Sequence, residues 1–545
     1  MRVVRRWLGF GGTLMATLFF CASLTPTLLP RTWVMQGVMG AVTGIIGYAF
    51  GATAGAFGRA TLKYRITDRA RRVAWRVLLA GCALLSALAL GYSLGWQRDL
   101  RELMGMDTEI TWFPPVILAV AVAGFALFLF IGRVIRLGGR KLIHWLDRFV
   151  PVPIAQATGI VIVTCVIGVL ANDVLFSGFV NAMNDVSSVT NTTTAPGVAK
   201  PVSAKVSGGP GSLVPWETLG REGRSFTGTA VSRAELTAFS GSPATEPIRA
   251  YVGLEAAATP DQQAATAVRE LERTGGFGRP VLAVLGTTGT GWVDQHLADS
   301  LEFMYNGDSA MVAMQYSYLP SWASFLVDRG KAARAGQALF DAVRARWERV
   351  PKGERPLLVV SGESLGSYEL EGAFGDLRAL TARADGALFV GPPDANPIWS
   401  EVTAGREPDS PVWRPVYERG RTVRFAQYPD DLRVPPGPWE HPRVVYLQNA
   451  SDPVVWWSPR LLYKKPEWLT GPRGPDVNPQ MNWFPLVTFW QVLVDMSVAQ
   501  DVPEGHGHRY GANMADGWAA IAAPDGWAQT DTDRLHDLIS GRPSP

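Results

Sequence analysis

Two Gly-x-Ser-x-Gly patterns, around Ser93 and Ser364, place a serine between glycines that permit a sharp turn. The apolar segment 356–360 before Ser364 is typical of a buried strand, and residues 368–380 after it have a helical pattern. A strand, a glycine-flanked turn and a helix are the elements that raise a nucleophilic serine above a parallel sheet. Ser93 lies in a long uncharged run, where small residues serve helix packing. Ser364 is therefore the predicted nucleophile.

A serine hydroxyl needs a base that takes its proton and a third group that orients the base. Asp452 follows the predicted strand 444–448 and precedes a proline, so it suits both a catalytic acid and an ordinary turn. Two histidines, His506 and His508, lie farther along in a glycine-flanked loop. We favour His508, because Gly-x-Gly-His resembles the histidine loop of many serine hydrolases, and keep His506 as the alternative base. No cysteine or third histidine has metal-ligand spacing here, so neither a metal nor another cofactor is predicted.

Acyl transfer also requires hydrogen-bond donors for the oxyanion. The main-chain N–H of Leu365, at the start of the predicted helix, is one candidate. The Gly/Thr-rich loop 286–291 follows an earlier predicted strand and offers Thr287 or Thr288 as the second. The alternative interpretation of this loop is a phosphate-binding loop, but it lacks the lysine of a P-loop and the spacing of a dinucleotide fingerprint.

Short apolar segments alternate with helix-length segments after residue 247. This alternation predicts a mostly parallel sheet with helices on both faces, which binds ligands at the carboxyl ends of its strands. The predicted strands cover 248–254, 280–285, 311–316, 356–360, 387–390, 422–426 and 444–448. The clearest predicted helices cover 260–273, 292–304 and 331–349.

The first third of the chain contains five runs without Asp, Glu, Lys or Arg. They cover 7–30, 32–58, 77–97, 110–132 and 149–172. Each reaches the roughly 20 residues that a helix needs to cross a bilayer. The predicted architecture is a bundle of about five transmembrane helices followed by the α/β domain. The second run is rich in glycine. A tight hairpin with the first run and a re-entrant segment are therefore the two alternatives to a simple span.

The charge distribution indicates the orientation of these runs. The first 180 residues carry 18 Lys and Arg against 7 Asp and Glu, and the remaining residues carry 33 against 41. Fifteen of the 18 basic residues lie at the N-terminus and in the loops after the second and fourth runs. Basic loops stay in the cytoplasm, so we expect a multi-pass plasma-membrane protein with a cytoplasmic N-terminus and an extracytoplasmic α/β domain. Neither part shows the basic stripe of a nucleic-acid binder. A cleaved signal peptide is the alternative for the first run.

Three domains are predicted from these patterns: a transmembrane domain over 1–180, a flexible linker over 181–215 and the α/β domain over 216–545. The linker is rich in Ser, Thr, Pro and Gly, a composition that buries little apolar surface. Between Asp452 and the histidine loop, the chain is rich in Trp and Pro. We interpret this insertion as a cap with an interface-seeking surface, since Trp favours the membrane interface; ordinary core packing is the alternative.

The motifs around Thr287, Ser364 and His508, in this order, resemble a bacterial family of membrane-anchored α/β-hydrolases with a multi-span N-terminal domain. The resemblance extends over nearly the whole chain. It implies Ser364 as nucleophile, Asp452 as acid and the 505–508 loop as the source of the base. The expected function is a membrane-anchored serine hydrolase, similar to an esterase or lipase, that cleaves carboxylic esters of membrane lipids or acylated envelope components. An acyltransferase with the same triad and a non-catalytic scaffold are the alternatives.

Overall fold

A computed structural model describes residues 8–61, 67–109, 114–146, 148 and 177–542. The chain divides into two compact units, and each unit combines segments that are distant in sequence. The first unit contains residues 1–178 and 457–503, and the second contains residues 179–456 and 504–545. The insertion between Asp452 and His508 therefore groups with the N-terminal helices and not with the sheet. This differs from the predicted domain boundaries.

Apolar helices form most of the first unit. They are α1 (Phe10–Ser23), α2 (Trp33–Thr61), α3 (Asp68–Leu103) and α4 (Pro114–Leu146). Within the described residues, three of them, α2, α3 and α4, are long and apolar enough to cross a membrane. The run predicted over 7–30 forms a helix of only 14 residues. It ends early because Thr25 precedes Pro26, and a residue before proline is disfavoured in helical conformation. The fifth predicted run, 149–172, lies outside the described residues.

Glycines explain how the glycine-rich second run packs. It forms the 29-residue helix α2, which pairs with α1. A Cβ atom on Gly40 would lie 2.9 Å from the Phe20 ring, so the two helices approach more closely than a larger residue permits. Small residues at such contacts are typical of helix pairs in membranes.

The insertion packs onto α1 and α2 through a buried ion pair. Asp495, at the end of helix Val487–Asp495, accepts hydrogen bonds from Arg31 Nε at 2.7 Å and from the Leu28 N–H at 3.2 Å, and one from the Thr27 hydroxyl. Both charged side chains are fully buried. Such a pair is costly to break, because the remaining partner stays buried without a counter-charge.

The tryptophans of this region are mostly packed rather than exposed. The indoles of Trp456, Trp457 and Trp468 are buried, and those of Trp483 and Trp490 are partly buried. The Trp483 indole N–H donates to the Leu461 carbonyl at 2.8 Å. These contacts favour the core interpretation over an exposed apolar cap surface, because each indole already has protein neighbours.

The second unit is built around a parallel sheet of seven strands. They are β1 (Ile248–Val252), β2 (Val281–Gly286), β3 (Ser309–Met314), β4 (Leu357–Glu363), β5 (Gly386–Val390), β6 (Val423–Ala426) and β7 (Arg443–Leu447). Their order is β1-β3-β2-β4-β5-β7-β6. Nearly every strand residue is buried, as expected for a sheet covered on both faces. All seven predicted strands are present.

Helices cover both faces of this sheet. The remaining helices, in chain order, are α5 (Ser177–Asn191), α6 (Gly220–Gly228), α7 (Arg233–Ser240), α8 (Pro260–Thr274), α9 (Gln295–Met304), α10 (Ser321–Val327), α11 (Arg329–Trp347), α12 (Leu365–Phe374), α13 (Leu377–Arg383), α14 (Pro397–Ala404), α15 (Pro453–Trp456), α16 (Val487–Asp495), α17 (Asn513–Ala522) and α18 (Gln529–Ser540). Of these, α16 belongs to the first unit. Helix α9 packs with α17 and α18, whereas α11 packs with both α12 and α8. The helices after β2 and β4 thus lie on opposite faces. A ligand crevice is expected where the connections after two neighbouring strands leave the sheet on opposite faces.

Residues predicted as a flexible linker pack against this sheet. Ser207 is buried, and its main-chain N–H donates to the Arg249 carbonyl in β1 at 3.0 Å. Ser212 Oγ and the Leu213 N–H both donate to the buried carboxylate of Glu270, at 2.7 and 3.0 Å. Residues of this Ser/Thr/Pro/Gly-rich segment thus form hydrogen bonds to β1 and to Glu270, which hold part of 181–215 in place.

Candidate active site

Ser364 lies in the turn between β4 and α12, in a strained backbone conformation. Its φ of 53° and ψ of −123° fall in a region that non-glycine residues rarely adopt. The Ser364 N–H donates to the Val390 carbonyl of β5 at 2.9 Å, which fixes the turn on the neighbouring strand. A Cβ on Gly366 would lie 2.5 Å from the Gly286 carbonyl oxygen, so only glycine lets β2 and α12 approach this closely.

His508 and Asp452 form a buried pair at the carboxyl end of the sheet. His508 Nδ1 lies 2.6 Å from Asp452 Oδ2. The same oxygen accepts a hydrogen bond from the Tyr510 hydroxyl at 2.7 Å, and Asp452 Oδ1 accepts one from the Val454 N–H at 2.8 Å. The acid is therefore held by three donors, so its orientation toward His508 is fixed.

The two loops that carry this pair are hydrogen-bonded to each other. Asn449 Nδ2 donates to the Gly507 carbonyl at 2.9 Å, and the Gly507 N–H donates to Ser451 Oγ at 2.8 Å. His506 is only half-buried and forms a short antiparallel bridge with Arg509. Of the two candidate bases, the structure places His508, not His506, beside Asp452.

The second ring nitrogen of His508, Nε2, faces the carboxyl of Glu363, which belongs to the Gly-x-Ser-x-Gly motif around Ser364. Nε2 lies 3.7 Å from Glu363 Oε1. Among the described residues, no hydrogen bond joins Nε2 to Ser364 Oγ. Serine–base hydrogen bonds are often long without substrate and shorten when it binds. The end of β4, directly before Ser364 in the chain, thus lies close to the His508 ring.

Burial and neighbouring acids affect the protonation of Glu363. Removal from water raises the pKa of Glu363 well above its ordinary value, and the nearby carboxyls of Asp294 and Asp452 raise it further. Burial also raises the pKa of Asp294. Burial, followed by the Asp452 charge, raises the pKa of Tyr510 as well, so its hydroxyl remains a donor.

The structure leaves one of the predicted oxyanion donors available. Within the described chain, the Leu365 N–H has no hydrogen-bond partner. The Thr287 N–H donates to the buried Glu369 carboxyl at 2.7 Å, and the Thr288 N–H donates to the Trp292 carbonyl at 3.0 Å. The main-chain N–H groups of Thr287 and Thr288 thus already have acceptors in α12 and in the loop itself, and an oxyanion role for either residue stays a prediction.

Three residues at this site had no predicted role. Glu363 lies inside the serine motif, Tyr510 follows His508 by two positions, and Gly391 follows the strand β5. Gly391 has a φ of 52°, and a Cβ there would lie 2.8 Å from His508 Nδ1. Gly391 therefore leaves room for the His508 ring. Its position directly after a predicted strand, at the carboxyl edge of the sheet, was the signal in the sequence for such a close approach.

Ser93, the other serine in a Gly-x-Ser-x-Gly pattern, has a different setting. It is buried within α3, and its hydroxyl donates to the Leu90 carbonyl one turn earlier at 2.8 Å. The surroundings of Ser93 are those of a helix-packing residue.

Comparison with known proteins assigns two segments of the chain. Residues 248–535 match a profile described as the alpha/beta-hydrolase family. Residues 24–230 match a profile described as the N-terminus of an alpha/beta-hydrolase family. No curated protein and no solved structure matches the chain.

Proposed function

The chain belongs to the alpha/beta-hydrolase family, and we propose that it is a membrane-anchored serine hydrolase that cleaves carboxylic esters of lipids or acylated envelope components. The observation that carries this proposal is the strained turn at Ser364 together with the 2.6 Å contact between His508 and Asp452 at the same edge of the sheet. A strained backbone persists only where the surrounding structure enforces it, and such residues cluster at active sites.

The proposed reaction begins with attack of Ser364 Oγ on the acyl carbon while its proton passes to His508 Nε2. Asp452 orients the ring through Nδ1 and stabilises the imidazolium. The Leu365 N–H, at the N-terminus of α12, donates to the developing oxyanion. The imidazolium then gives its proton to the leaving alcohol, which departs as the C–O bond breaks. Water, activated by the same histidine, releases the acid from the acyl-enzyme.

Membrane anchoring is proposed from the lengths of α2, α3 and α4 and from the basic residues between the uncharged runs. We expect the second unit to lie outside the cytoplasm. In a bacterial host, a C-terminal alkaline phosphatase fusion should be active, whereas a C-terminal green fluorescent protein fusion should not fluoresce. The opposite pair of results would overturn this topology.

The activity is tested by labelling the detergent-solubilised chain with a fluorophosphonate, which reacts with activated serines. The parent and Ser93→Ala should label equally, and Ser364→Ala should not label. A folded parent that never labels would support the scaffold alternative. Release of the acyl group to an added alcohol in preference to water would support the acyltransferase alternative.

A further inference from the structure

We propose that Glu371 is a positioning residue for the nucleophile: its buried carboxyl joins the helix that begins after Ser364 to β7, the strand that leads to Asp452. The connection to the nucleophile runs through two further side chains, Asn396 and Ser367. This inference rests on the proposed function, because it assigns three residues to the alignment of the same serine. All three act through Ser364 and not on the substrate.

The connection starts at the nucleophile itself. Ser367 Oγ donates to the Ser364 carbonyl at 2.6 Å, and the Ser367 N–H donates to the same oxygen at 3.0 Å. On its other side, the Ser364 N–H donates to the Val390 carbonyl of β5. A strained φ and ψ persist only where the neighbours enforce them. The hydroxyl of Ser367 is therefore one of the groups that hold Ser364 in its strained conformation.

Asn396 fixes the orientation of the Ser367 hydroxyl. Its Nδ2 donates to Ser367 Oγ at 3.0 Å and to Glu371 Oε1 at 2.9 Å. A serine hydroxyl rotates to suit its surroundings, so a donor on one side and an acceptor on the other restrict it to one orientation. Ser367, Asn396 and Glu371 are all fully buried, and water does not compete for these contacts.

The Glu371 carboxyl accepts hydrogen bonds from four donors. Besides Asn396, the Tyr446 hydroxyl donates to Oε1 at 2.9 Å. The N–H groups of Ile398 and Trp399 donate to Oε2 at 2.7 and 3.0 Å. A carboxylate has about four acceptor sites on its two oxygens, whereas an amide has one acceptor oxygen and an NH₂ group that only donates. A glutamine at this position would therefore direct an NH₂ group toward two of the donors.

These four donors connect α12 to two other elements of the second unit. Two of them belong to the first turn of α14, and Tyr446 lies in β7, which precedes the loop of Asp452. Glu371 itself lies on α12, seven residues after Ser364. Loss of its carboxyl should therefore let the nucleophile shift relative to the acid and its base. A shift of about 1 Å in a catalytic group costs on the order of 10²-fold in rate.

The test is the rate of fluorophosphonate labelling of the full-length, solubilised chain as a function of probe concentration. Burial raises the pKa of Glu371 to about 7, so rates are measured at about pH 8.5, where the carboxyl is ionised. Glu371→Gln should lower the rate at saturating probe by at least about tenfold and leave the half-saturating probe concentration unchanged. A misplaced nucleophile slows the reaction of bound probe without weakening its binding.

Glu270→Gln is the matched control. Glu270 is also a buried carboxyl that accepts side-chain and main-chain donors, but these donors, Ser212 and Leu213, lie in the segment 181–215. The change should lower the unfolding temperature and leave both labelling parameters at their parent values.

A double-mutant cycle separates positioning from packing. Ser367→Ala breaks the side-chain contact with the Ser364 carbonyl, and Asn396→Leu removes the donor that orients Ser367. Each change alone should lower the rate at saturating probe by about tenfold. Because Asn396 acts on the nucleophile through Ser367, Asn396→Leu should lower the rate of the Ser367→Ala variant by less than about threefold. Two independent packing defects would instead multiply.

Thermal unfolding shows which variants fold. If Glu371→Gln does not fold, Tyr446→Phe, which removes one of the four donors, takes its place with an expected loss of about threefold. A parent-like rate at saturating probe in the folded variant would overturn the role of Glu371, and multiplicative losses in the cycle would overturn the connection through Ser367. A parent that never labels would overturn the proposed hydrolase function and this role with it.

Discussion

Two histidine–aspartate pairs in the second unit have the same contact distance but different surroundings. His508 Nδ1 lies 2.6 Å from Asp452 Oδ2, and His536 Nδ1 lies 2.6 Å from Asp516 Oδ2. The His508 side chain is 7% exposed and the His536 side chain is 30% exposed. The first pair lies at the carboxyl end of the sheet, whereas the second joins helices α17 and α18.

The surroundings, rather than the contact, distinguish a candidate base from a helix-packing pair. Asp452 receives a second hydrogen bond from Tyr510, and the far side of the His508 ring faces Glu363. At the other pair, the hydrogen bond to Asp516 raises the pKa of His536 against the opposing effect of burial. An Asp–His contact alone therefore does not indicate catalysis. At His508 the indication comes from Glu363, which precedes Ser364 in the chain and lies 3.7 Å from the ring.

The largest effect is expected for His508→Ala, with His536→Ala as its matched control. His508→Ala should reduce fluorophosphonate labelling by about 10³-fold or more, because no other group takes the Ser364 proton. His536→Ala removes an equally short contact and should label like the parent. Equal losses in the two variants would show that labelling follows folding and not the base.

A smaller loss is expected when the ring of His508 is displaced. In Gly391→Ala, the new Cβ would lie 2.8 Å from His508 Nδ1, so the ring must shift. Misplacement of a catalytic group by about 1 Å costs on the order of 10²-fold in rate. Gly526→Ala is the control, since Gly526 has a φ of 86° and nothing within 4 Å of an added Cβ. We expect Gly526→Ala to lose stability but to label normally once folded.

Removal of the second donor to the acid should have a milder effect. In Tyr510→Phe, Asp452 Oδ2 loses one hydrogen bond and the Asn449 N–H loses its acceptor. We expect a loss of about 1–3 kcal/mol in the free energy of unfolding, because a buried donor is left unpaired. The labelling rate should fall by about tenfold. A stability loss without any change in labelling would limit Tyr510 to a structural role.

The smallest effect concerns pH-dependent stability at the other pair. Because the folded-state pKa of His536 is raised, the protonated pair stabilises the chain fully below the unfolded pKa of about 6.5. This stabilisation is lost as the pH rises through the folded-state pKa. The difference in unfolding temperature between the parent and His536→Asn should therefore be larger at acidic than at alkaline pH. A difference that grows with pH would contradict the sign.

Local patterns predicted the elements that position the site. The seven apolar segments became the seven strands, because each is short, buried and bounded by turn residues. The turn at Ser364 was also predictable, since its glycines, preceding strand and following helix are adjacent in sequence. The preference for His508 over His506 rested on the Gly-x-Gly-His pattern alone, and the structure places His508 beside Asp452.

Long-range contacts account for what the sequence did not predict. Arg31 and Asp495 are 464 residues apart, so no local pattern indicated that the tryptophan-rich insertion joins the N-terminal helices. The Thr287 N–H is occupied by Glu369, 82 residues later. The segment 181–215 has the composition of a linker, yet Glu270 holds part of it against the sheet.

The most direct test of the central claim is the identity of the labelled residue in the parent protein. The solubilised chain would be treated with a fluorophosphonate and digested, and the adduct would be located by tandem mass spectrometry. We predict a single phosphonylated residue, Ser364, whose modification is prevented by heat unfolding before treatment. An adduct on any other serine, or none on a protein with an intact unfolding transition, would contradict the assignment of this site as a serine hydrolase centre.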